Sequence, residues 1–156
     1  MRLWRFFALT VLCVAAAYGQ KPDFTGTWKQ TGLRERETVV KIQHQEPELR
    51  MSTRTTFHFA PSTLDRPLPA GSTDNAEFRT DEKEKASKSD NGRERWSSIF
   101  WEQSALVFLS VLKDGYHVTV TRTAWTLSEG GDMLTKSTRV VNLDGVKEST
   151  ETFERQ

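Results

Sequence analysis

Cysteine is almost absent from this chain. The single one, Cys13, lies in the one long apolar run, Phe6 to Ala17. That run follows Arg2 and Arg5 and ends at Ala17-Tyr18-Gly19, with small residues at the two positions a signal peptidase reads. Residues 1–19 therefore read as a cleaved secretory signal peptide. The run is too short to span a bilayer, which takes about 20 apolar residues. Leu12 is too bulky for lipoprotein processing at Cys13. The expectation is an exported protein, periplasmic or extracellular, that is not an integral membrane protein after cleavage. Residues 20–156 would form a single domain with no cysteine, held without disulfides despite an oxidising destination.

An excess of charge of either sign is also missing. Losing Arg2 and Arg5 leaves 20 basic against 21 acidic residues, a net charge of −1. Nothing in that balance suits a nucleic-acid partner. Catalytic motifs are missing too: no serine sits in a nucleophile elbow, and no thiol remains after cleavage. His44, His58 and His117 are the only imidazoles and have no local ligand spacing, so neither a metal nor a cofactor is expected. Carboxylate pairs such as Glu46 and Glu48 carry no information where acids are this frequent. The chain does not read as an enzyme.

No mature segment has the long apolar period of a helix. Short β-prone runs separated by turn residues recur instead, the pattern of an antiparallel meander. Strands are predicted at Gly26 to Thr31, Thr38 to His44 and Leu49 to Phe59, the last two joined at Glu46-Pro47. Three of the five prolines fall in Ala60 to Asn75, which reads as a loop, either a lid or a surface excursion. The stretch 81–88 fits a helix capped by Asp81 or a hairpin ending at Asn91-Gly92; we favour the hairpin. Strands then run over Arg93 to Trp101, Ser104 to Leu112, Tyr116 to Ser128, Met133 to Leu143 and Val146 to Arg155. The turns between them are Glu102-Gln103, Asp114-Gly115, Gly130-Gly131 and Asp144-Gly145.

Two-residue loops set the register. Centred on these turns, Val111 faces Val118, Leu109 faces Val120, Phe100 faces Ala105 and Trp96 faces Leu109. One face then carries Trp96, Phe100, Ala105, Val107, Leu109, Val111, Val118, Val120 and Ala124, and we take it as the interior. Ser110, Thr119, Thr121 and Thr123 fall on the other face. A bulge near Trp125 would break this register, because Trp125 and Leu127 lie on the polar side.

The stretch Asp23-Phe24-Thr25-Gly26-Thr27-Trp28-Lys29 resembles the first-strand motif of lipocalins and fatty-acid-binding proteins, the calycins. With Trp101, Trp125-Thr126-Leu127-Ser128 and Phe153-Glu154-Arg155, the mature chain is similar to small secreted bacterial lipocalin-like proteins. The resemblance implies an all-β, up-and-down antiparallel barrel of about 8–10 strands, lipocalin-like. It implies a small hydrophobic or amphipathic ligand, and a contact between Trp28 and Arg155 at barrel closure. The short link between Trp28 and Thr38 has no room for the two helices of fatty-acid-binding proteins.

Within that frame Arg122 and Arg139 face each other across the Gly130-Gly131 hairpin, on the face assigned to the interior. Two facing guanidinium groups call for an anion between them, either a ligand's acid group or Glu148, placed opposite Val141; the alternative is that a bulge near Trp125 turns one or both arginines outward. The expected ligand site is Arg122 and Arg139 with Trp96, Phe100, Leu109 and Val120, and the expected ligand is a small hydrophobic or anionic amphipathic molecule. The alternative is a structural or protein-interaction module with a filled core. Polar groups on the inner wall would favour the carrier.

Overall fold

The structure is a computed structural model, and it describes residues 21–32, 35–58, 71–81, 83–88 and 92–156. Every regular element among them is a strand. These are β1 (Gly26–Gln30), β2 (Arg36–Gln45), β3 (Glu48–Phe57), β4 (Gly71–Arg79), β5 (Lys85–Lys88), β6 (Glu94–Glu102), β7 (Ala105–Asp114), β8 (His117–Leu127), β9 (Met133–Asn142) and β10 (Gly145–Arg155). They form one sheet in the order β4-β3-β2-β1-β10-β9-β8-β7-β6-β5, antiparallel throughout. Phe78 of β4 packs edge-on against Phe108 of β7 with ring centroids 5.3 Å apart, so the sheet rolls up on itself. Among the described residues, the edges β4 and β5 are the strands with a single neighbour.

Local sequence explains most of the elements. In β2, Thr38, Val40 and Ile42 point inward and are buried, while Lys41 and Gln43 are exposed. That is the period of a strand with one face in a core. The core joins Phe24, Trp28, Val40, Ile42, Leu49, Ile99, Leu106, Trp125, Leu134 and Phe153. Gly26 has φ +153°, and a Cβ there would meet Trp28 and Arg155 only at ordinary contact distances. Its requirement for glycine is therefore conformational. A tight approach occurs at Gly71 instead, where a Cβ would sit 2.2 Å from the Thr55 carbonyl oxygen.

Several sequence expectations need correction. The loop predicted over Ala60 to Asn75 ends early, because Gly71 to Asn75 begins β4; the rest of that stretch, and with it the lid, lies outside the described residues. Over 81–88 the favoured hairpin reading holds and needs no correction, since Lys85–Lys88 pairs with β6. Three turns are displaced by one residue. Asp114 pairs with His117, Glu102 with Ala105, and Asn142 with Gly145. The loops are therefore Gly115-Tyr116, Gln103-Ser104 and Leu143-Asp144. The reason is turn chemistry. Gly115 and Gln103 take positive φ as the first loop residue, at +59° and +55°, and Gly145 takes +117° just after its loop. A type II′ turn wants its special residue first, and a type I turn wants it after. Each shift moves the register by two residues: Val111 faces Val120, Leu109 faces Arg122, and Trp96 faces Val111.

A two-residue slip leaves every side chain on its own face. The assignment of the faces themselves is what reverses. Ile99, Leu106, Phe108 and Trp125 belong to or pack against the core, with Ser97, Ser110, Thr121 and Thr123 on the same inner wall. Trp96, Phe100, Leu109, Val111, Val118, Val120 and Ala124 therefore face outward. Val107 is buried on that side; Phe100 and Val118 are exposed. No bulge interrupts β8, since Trp125 pairs with Leu106 in continuous register.

Candidate functional site: the barrel interior

The floor of the barrel is aromatic. Phe24 stacks on Trp101 at 5.9 Å, meets Trp125 edge-on at 6.0 Å and lies 5.8 Å from the His44 ring. Trp28, fully buried, donates from Nε1 to the Phe24 carbonyl at 2.9 Å. The Arg155 guanidinium caps the Trp28 ring at 4.5 Å, and its Nε donates to the Gly131 carbonyl at 2.9 Å. The structure thus brings together Trp28 and Arg155, through the β1–β10 pairing that closes the sheet.

Glu46, in the β2–β3 turn, ties this floor together. Its Oε1 accepts from Thr80 Oγ1 at 2.8 Å, Trp101 Nε1 at 3.0 Å and His44 Nε2 at 3.1 Å; its Oε2 accepts from Lys21 Nζ at 2.9 Å. The Phe24 N–H donates to His44 Nδ1 at 3.4 Å, which assigns the proton to Nε2 and makes the histidine a donor to Glu46. Burial pushes the Glu46 carboxyl up, but the bonds from Lys21, Thr80 and His44 outweigh it and hold the group down at about 2. Sequence reading missed this hub because its members come from the N-terminal segment, the end of β2, two turns and the end of β6.

Above the floor, described residues line two cavities of the interior. The first, of ≈210 Å³, has an apolar wall of Val40, Ile42, Met51, Trp125, Leu134 and Phe153. Polar groups gather on its other side. There Lys136 pairs with Glu151 at 2.7 Å, Gln30 donates to Glu151 at 3.2 Å, and Arg36 has no ion pair among the described residues. Trp125 Nε1 is buried with no acceptor among the described residues, a state that costs on the order of 1–3 kcal/mol. The second cavity, of ≈420 Å³, is walled by Ser97, Ile99, Phe108, Ser110, Thr121 and Thr123. It reaches Phe78 on β4 and Lys85 and Ser87 on β5.

The residues expected from sequence to hold a ligand lie elsewhere. Arg122 does pair in register with Arg139, but on the outer face. Each has its own acid there: Arg122 bonds Glu102, and Arg139 lies 3.4 Å from Glu148. Glu148 stands directly opposite Arg139, not Val141, because of the turn shift. Trp96, Phe100, Leu109 and Val120 share that outward face; of these only Leu109 also reaches the second cavity. Among the described residues no group of three or more His, Cys, Asp or Glu is placed to hold a metal.

No protein-family model and no curated protein matches the sequence. Among solved structures, zebrafish ileal bile acid-binding protein complexed with cholic acid matches with a TM-score of 0.48 and 11% identity, over 85% of this chain and 98% of that one. Secretory abundant heat soluble protein 4 from Ramazzottius varieornatus matches with a TM-score of 0.50 and 12% identity, over 85% and 94%. The fold is an all-β, ten-stranded, up-and-down antiparallel barrel of calycin type.

Proposed function

We propose that the protein carries a small amphipathic anion in the first cavity. Its apolar body would lie against Ile42, Met51, Leu134 and Phe153, and its acid group would meet Arg36. The observation that carries this reading is one lobe with an apolar wall and a guanidinium that has no described ion-pair partner. A filled-core module needs neither. The volume, ≈210 Å³, is below the ~300–1,000 Å³ of pockets for drug-sized ligands, so the ligand is short. The carrier would act outside the cytoplasm, as the signal-like residues 1–19 suggest; N-terminal sequencing of the exported form should begin near Gln20, and an intact Met1 there would overturn that part.

Calorimetry with octanoate, octanol and octylamine tests the carrier reading. Octanoate should bind best, and Arg36→Ala should weaken it about tenfold, the scale of a charge-assisted hydrogen bond, while leaving octanol unchanged. Absence of octanoate binding, or equal affinity for octylamine, would remove the proposal.

A further inference from the structure

The second cavity differs in chemistry from the first, and its binding potential does not depend on the carrier reading. Ser97, Ser110 and Thr121 stand side by side on β6, β7 and β8, since Ser97 pairs with Ser110 and Ser110 with Thr121. Neighbouring strands lie ≈4.8 Å apart, which spaces three hydroxyls evenly along one wall. None of the three has a side-chain hydrogen bond to another described residue, whereas Thr123 on the next row is engaged with Thr138 at 3.2 Å. Each free hydroxyl both donates and accepts. The next row toward the barrel mouth holds Arg95, which lines the same cavity and makes no ion pair among the described residues. Beside the hydroxyls, on the row nearer the floor, stands Phe108, in edge-on contact with Phe78 of β4. The cavity extends to β4 and β5, the strands that have only one neighbour each.

We propose that this second lobe is a binding site for a small organic anion rich in hydroxyl groups, of the sugar-acid class. The acid would take the Arg95 fork, a geometry that guanidinium groups offer to carboxylates. The ligand's hydroxyls would exchange hydrogen bonds with Ser97, Ser110 and Thr121, and its C–H face would lie on Phe108. The β4–β5 side supplies the entrance. Glu77 on the rim is turned to Arg50, 3.4 Å away, which moderates its repulsion of an incoming anion.

The probe is glucuronate, which combines both features, with glucose and acetate each supplying one. Titrations of the mature protein would be followed by the amide shifts of β6, β7 and β8. Glucuronate should move the amides around Ser97, Ser110 and Thr121, at least about tenfold more tightly than glucose or acetate. Arg95→Gln should abolish the preference for glucuronate over glucose. Thr121→Val, which keeps the shape of the side chain, should weaken glucuronate several-fold, and octanoate binding should stay as in the wild type in both variants. If glucuronate moves none of these amides at millimolar concentration, or if Arg95→Gln binds it unchanged, the site does not exist. Loss of octanoate binding together with glucuronate would reveal general damage to the barrel and would equally overturn an assignment resting on these variants.

Discussion

Removing the Glu46 carboxylate should loosen the closed end of the barrel. Four donors converge on it, from Lys21, His44, Thr80 and Trp101. The side chains of His44 and Glu46 are 3% and 35% exposed, and Thr80 is 1% exposed. A hydrogen bond to a charged group contributes about 1.5–3 kcal/mol, and a buried donor left unpaired costs about 1–3 kcal/mol. Water can reach the partly exposed side of this carboxylate and rescue some donors. Glu46→Ala should therefore cost about 2–3 kcal/mol, and Glu46→Gln, which retains a neutral acceptor, about 1 kcal/mol. The effect also has a pH signature. The folded carboxyl sits at about 2, below its ordinary 4.5. A lowered acid contributes stability that is fully present above the unfolded value and is lost as pH falls toward the folded one. After discounting for solvent screening this amounts to about 1–2 kcal/mol. Urea unfolding followed by tryptophan fluorescence measures it. Wild type should exceed Glu46→Gln at pH 7, and the gap should close as pH drops from about 5 to about 2. A constant gap across that range, or a Glu46→Ala protein as stable as wild type, would refute the hub.

Two more predictions concern the arginines. Arg155→Ala should cost about 0.5–2 kcal/mol through loss of the cation over Trp28, whereas Trp28→Ala should cost about 3–5 kcal/mol through the cavity it leaves; denaturant midpoints compare them, and an Arg155→Ala protein equal to wild type would place the arginine in solvent. The double variant Arg122→Ala/Arg139→Ala removes two exposed outer ion pairs, so it should change stability by less than about 2 kcal/mol and leave octanoate affinity unaltered in calorimetry; a lost octanoate signal would return those residues to the site.

Architecture was legible from local patterning. The alternation in β2, the recurring turn residues and the absence of helical periodicity together specify an antiparallel meander, and the Gly130-Gly131 hairpin even specifies the Arg122–Arg139 pairing. Those signals are short-range, because a strand's period and a hairpin's loop involve residues close in the chain. Two matters were decided only by the tertiary structure. One is which face turns inward. In β6 to β8 the face with more apolar residues lies outside, and the Ser and Thr face lines a cavity; Trp125 and Leu127, with Ile99, Leu106 and Phe108 on the same side, were the local signs of it. A barrel enclosing cavities does not need a wholly apolar lining, so hydrophobicity alone ranks the two faces wrongly. The other is the meeting of Lys21, Glu46, Thr80 and Trp101, and the lining of one cavity by Arg36 of β2 together with the Lys136–Glu151 pair of the β9–β10 hairpin. Those side chains are brought together by the curvature that rolls the sheet into a barrel, and no periodicity along the chain encodes that closure.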